Sequence, residues 1–70
     1  MRLKEIRIER GLKQSAVADA LNIKQNTYSQ YETGQRQLPI DVLIALARYY
    51  EVSTDYILEL TDYEDPLQRK

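Results

Sequence analysis

Seventy residues provide one domain, close to the lower limit at which apolar burial alone offsets chain entropy. The chain has neither cysteine nor histidine, which removes disulfides, the usual zinc donors, a thiol nucleophile and an imidazole base, so no enzyme, metal or cofactor is expected. A net charge of −1 hides a division: residues 1–50 carry eight bases against five acids, whereas residues 51–70 carry two against six. Salt screens charge over about 8 Å, so a polyanion can meet the basic part and feel little of the acidic one.

No apolar run approaches the roughly 18 residues that cross a bilayer, and the opening MRLKEIRIER alternates charge with Leu and Ile, unlike a signal peptide. A cytoplasmic location is expected. Period-3.6 patterning predicts a first helix over 2–10, with Leu3 and Ile6 inward and Gly11 as its stop. A second over 14–21 buries Val17, Ala18 and Leu21, while Ala16 and Ala20 keep it slim enough for close crossing. Asn22 suits the left-handed turn that follows. A third helix runs over 24–33 and stops at Gly34.

Pro39 opens a fourth helix over 39–50, with Ile40, Leu43, Ile44, Ala47 and Tyr50 at core spacing. Ser53, Thr54 and Asp55 offer a cap and a first-turn carboxylate to a fifth over 54–60, which contributes Tyr56, Ile57 and Leu60. Residues 62–70, with Asp62, Glu64 and Asp65 before Pro66, read as a charged tail after a domain of residues 1–61. The expected fold is all-α, a compact five-helix bundle.

The third helix is chemically unusual. At about 100° per residue, Gln25, Ser29, Asn26 and Gln30 fall on one side, whereas Tyr31, Tyr28 and Glu32 fall on the other. A solvated face in so charged a chain would hold Lys and Glu; this one holds amides and a hydroxyl. Gln and Asn join a donor and an acceptor on one plane, the geometry that pairs with an adenine edge in the major groove, and Ser addresses several bases.

The slim second helix, the tight turn and the polar third helix together reproduce a helix-turn-helix. Gln14 is placed to meet a phosphate beside free helix N–H groups, with Lys13, Lys24 and Arg36 supplying charge around the reading face. Arg7 shares the inward face of the first helix, and Glu32 is the carboxylate best placed to pair with it.

The runs LKEIRIERGLKQSAVADALNIKQNTYSQYETGQRQLP and VLIALARYYEVSTDYIL strongly resemble the Cro/phage-repressor-type helix-turn-helix family, often called the XRE family. The resemblance implies a lambda-repressor-like bundle that binds double-stranded operator DNA, usually as a dimer on a palindromic site, for transcriptional control. It implies that Gln25, Asn26 and Gln30 face bases, that Gln14 touches phosphate, and that Arg7 pairs with Glu32; Ser29 is expected with the base-facing residues, and Lys13, Lys24, Thr27, Thr33 and Arg36 with those at phosphates. The sequence departs from the family at Asn22, where Gly is frequent, at Lys24, where Ser or Thr is frequent, and at Thr33, where Asn is frequent. Tyr49, Tyr56, Ile57 and Leu60 exceed what a small bundle buries, so a homodimer through the last two helices is expected. The competing reading is a protein-interaction module of the same fold, an antitoxin or anti-repressor partner.

Overall fold

Five α-helices and no strand occupy residues 1–62, the part of the chain described by the computed structural model. They are α1 (Leu3–Glu9), α2 (Gln14–Ala20), α3 (Gln25–Thr33), α4 (Ile40–Tyr50) and α5 (Thr54–Ile57). The expected tail beyond Asp62 lies outside the described residues.

One continuous core joins Leu3 and Ile6 of α1, Val17 and Ala18 of α2, Tyr28 and Tyr31 of α3, Leu46, Ala47 and Tyr50 of α4, then Val52 and Ile57. Fully burying an aliphatic or aromatic side chain contributes about 1.5–3 kcal/mol, so this cluster carries the hydrophobic share of the fold. Leu12, Leu21, Ile23, Leu38, Val42, Leu43 and Tyr56 pack around it half-buried.

Turn chemistry sets the angle between α2 and α3. Asn22 takes φ 59°, and the Ile23 N–H reaches back to the Ala18 carbonyl at 2.9 Å, which closes the second helix and launches the third. Gly34 caps α3 at φ 82°. Lys24 gives α3 no side-chain cap, whereas the Ser53 hydroxyl accepts from the Tyr56 N–H at 2.9 Å and starts α5.

Two expected core positions face out. Ile40 is 73% exposed and Ile44 41% exposed, because α4 turns Val42, Leu43, Leu46, Ala47 and Tyr50 inward instead. Leu60, expected on the last helix, lies beyond it and is 71% exposed, since α5 ends at Ile57 and Glu59 adopts φ 65°.

Residues at the two ends of the described chain clasp each other. The Arg2 guanidinium lies 4.4 Å from the Tyr56 ring centroid, donates to the carbonyls of Tyr56 (3.2 Å) and Thr61 (2.8 Å), and pairs with Asp62. The Met1 ammonium pairs with Glu59. Two of the acids in the C-terminal part are thereby matched by cations from the other end.

Candidate nucleic-acid interface

The inward side of α3 is fixed by one charged cluster. Arg7 donates to Glu32 through Nε at 2.7 Å and Nη2 at 3.2 Å, a two-pronged contact, and through Nη1 to the Leu12 carbonyl at 2.9 Å. One side chain thus ties α1, the loop after Gly11 and α3 together. Gln14 donates from Nε2 to Glu32 Oε1 at 3.1 Å, which adds α2. The Glu32 side chain is 2% exposed.

Burial pushes the Glu32 carboxyl up, but hydrogen bonds from Arg7, Tyr28 and Gln14 and the Arg7 charge outweigh it, so the carboxyl is held below its ordinary value. The Arg7 guanidinium is raised, chiefly by its hydrogen bond to Glu32. Burial, with the neighbouring Tyr50 hydroxyl and Glu32, drives the Tyr28 phenol up, so Tyr28 stays neutral. Among the described residues no buried side-chain polar atom lacks a partner.

The outward side is the reverse. Gln25 and Asn26 are exposed, Ser29 and Gln30 half-buried, and together with Gln14 and Gln35 they line one shallow depression. Among the described residues, no charged side chain lines it. Gln25 and Asn26 make no side-chain hydrogen bond among the described residues, so each retains its donor and acceptor. Gln35 is the lining residue that sequence reasoning did not single out; its only signal was an uncharged amide just after the helix stop.

The residues expected at phosphates divide by their contacts. Lys13 and Lys24 are exposed, each directly before the first residue of a helix. Gln14 instead has one N–H of its amide engaged by Glu32, which leaves the other N–H as the donor a phosphate would need. Thr27 is half-buried, and Thr33 returns its hydroxyl to the Gln30 carbonyl at 3.2 Å. Arg36 turns back and donates from Nε to Gln30 Oε1 at 2.9 Å, so a residue expected at phosphate touches one expected at a base.

The apolar surplus expected near the last two helices is partly absorbed. Ile57 is fully buried and Tyr56 lies under Arg2, whereas Ile40, Ile44, Tyr49, Leu58 and Leu60 stay exposed. No described helix is long and apolar enough to cross a membrane.

A family model described as helix-turn-helix matches residues 3–57. The chain is 41% identical over 70 residues to "Uncharacterized HTH-type transcriptional regulator YobD" of Bacillus subtilis, an alignment that covers 99% of this chain and 62% of that protein. It is 46% identical over 57 residues to "HTH-type transcriptional regulator ImmR" of the same bacterium, covering 81% of this chain and 45% of the relative. It is also similar to "Cryptic phage CTXphi transcriptional repressor RstR" of Vibrio cholerae, at 33% identity over 51 residues, 73% of this chain and 46% of that one. The chain therefore spans between 45% and 62% of the length of these three relatives. No solved structure matches it. With a match that runs from the start of α1 to the end of α5, across the turn at Asn22 and the stop at Gly34, the chain belongs to the helix-turn-helix family, of the phage-repressor (XRE) type.

Proposed function

We propose that this chain binds double-stranded DNA sequence-specifically and regulates transcription, as a repressor, with α3 in the major groove. The observation that carries the reading is the uncharged amide face: Gln25, Asn26, Ser29 and Gln30 stand outward on a helix held from behind by the Arg7–Glu32 pair. A rigid helix with free donors and acceptors is what base-edge readout requires. Lys13, Lys24, Thr27, Thr33 and Arg36, with the second N–H of the Gln14 amide, supply the phosphate side of the reading.

The same reading makes residues 1–61 the DNA-binding domain of a cytoplasmic, non-catalytic protein. A homodimer through α4 and α5 on a palindromic operator would cover the exposed Ile44, Tyr49, Leu58 and Leu60. The relatives' printed names, transcriptional regulators and a phage repressor, support regulation by DNA binding.

Selection of bound duplexes from a randomised pool tests it. The chain is expected to enrich one sequence with two-fold symmetry and to lose affinity steeply as salt rises. An interaction module of the same fold would enrich nothing even at low salt, and that outcome would sink the reading. Sedimentation at micromolar concentration tests the dimer.

A further inference from the structure

Gln30 and Arg36 form a unit that differs chemically from the other amides of the face. Gly34, at φ 82°, reverses the chain, and the Arg36 N–H donates to the Gln30 carbonyl at 3.2 Å. The Arg36 side chain then closes a second link, from Nε to Gln30 Oε1 at 2.9 Å. Nε is a donor only, so the contact fixes which end of the amide faces the arginine.

This contact leaves the unit with donors. The Gln30 amide nitrogen and the two terminal nitrogens of Arg36 have no partner among the described residues. Gln25 and Asn26, by contrast, have both ends of their amides free. A free amide matches adenine, which shows one acceptor (N7) and one donor (N6) in the major groove; guanine shows two acceptors, N7 and O6.

We infer that Arg36 sets the base specificity of Gln30: with the amide oxygen engaged, the pair presents donors alone and selects guanine, where an unattached glutamine would select adenine. Arg36 is then a specificity-determining residue and not only a source of charge. The inference rests on the major-groove reading of α3, and it adds one assignment to it.

The test compares the whole chain with its Gln30→Ala and Arg36→Ala variants by selection from a randomised duplex pool, with circular dichroism to confirm that each variant is folded. Gln30→Ala identifies the base pair that Gln30 reads, as the position that loses preference. At that position the unaltered chain is expected to favour guanine over adenine by about tenfold. Arg36→Ala should bring that ratio to about one or reverse it, with the other positions unchanged.

Three results would overturn the inference alone: Gln30→Ala erases no position, the erased position is not guanine, or Arg36→Ala keeps guanine while weakening all sequences alike with a salt slope shallower by about one. In each of these, Gln25→Ala and Asn26→Ala still erase positions of their own. If the unaltered chain enriches no sequence, the major-groove reading and the inference fall together.

Discussion

On the inward side of α3, Glu32 accepts from Arg7 and Gln14, and Tyr28 sits fully buried with its hydroxyl 3.4 Å from that of Tyr50. On the outward side of the same nine residues, the Gln25 and Asn26 side chains touch no hydrogen-bonding partner among the described residues. Both sides are polar, so polarity does not tell structure from recognition here. What tells them apart is whether the hydrogen-bonding capacity of a group is already used within the protein. Burial makes an unpaired group costly, so the inward groups are all paired; the solvated outward groups can stay open until a ligand supplies partners.

The largest expected effect comes from breaking the inward side. Glu32→Ala leaves Arg7 with 13% exposure and no counter-ion, and should lower the unfolding free energy by about 3–5 kcal/mol in urea titrations. A loss under about 1 kcal/mol would show the pair to be no more than a surface contact.

The same carboxylate predicts an acid response. Its value in the folded chain lies below that in the unfolded chain, so over the interval between them the unfolded state binds more protons. The contribution is complete above the ordinary glutamate value, about 4.3, and is lost as pH falls through the lowered one. Glu32→Gln should therefore flatten the decline of thermal stability on acidification, and unchanged slopes would contradict the assignment.

The outward side sharpens the contrast from the other direction. Gln25→Ala and Asn26→Ala should alter stability by less than about 0.5 kcal/mol while each costs about 1–3 kcal/mol of discrimination at one or two base pairs. Lys24→Ala should instead weaken binding to every sequence, with the salt slope reduced by about one. If the amide and lysine variants behave alike in competition assays, the outward side has no reading role.

The smallest effect lies away from both sides. Glu51 caps α4 in the left-handed region at φ 58°, where a side chain is strained. Glu51→Gly should raise stability by up to about 1 kcal/mol in the same titrations, with DNA binding unchanged.

How legible this was in the sequence varied with the number of residues a feature needs. Glycine and asparagine stops marked the ends of the first three helices within a residue or two, since Gly11, Asn22 and Gly34 all take positive φ. The inward face of α4 was legible only in part: Leu43, Ala47 and Tyr50 pack inward as expected, whereas Ile40 and Ile44 do not. IDVLIALARYY is apolar almost all round, so period alone could not choose between Ile40 and Ile44 on one side and Val42 and Leu46 on another. Packing against α5, and against Tyr28 of α3 through Tyr50, made that choice.

The site showed the same limit. A face of amides could be read from spacing within α3, whereas the engagement of Gln14 by Glu32 and of Gln30 by Arg36 depends on how a helix and a loop return to it. Those contacts join residues 18 and 6 positions apart, across a turn in each case. Helical arithmetic does not reach across a turn.

The unattached state of Gln25 and Asn26 has a consequence for how such a protein diversifies. On the proposed reading those two positions can be recoded by point mutation with the frame intact, because neither side chain is hydrogen-bonded among the described residues. Position 30 is linked to position 36, so on the same reading its letter answers to a change at either residue. Drift in operator preference should accordingly involve α3 alone at its front, and the loop after Gly34 as well at its rear.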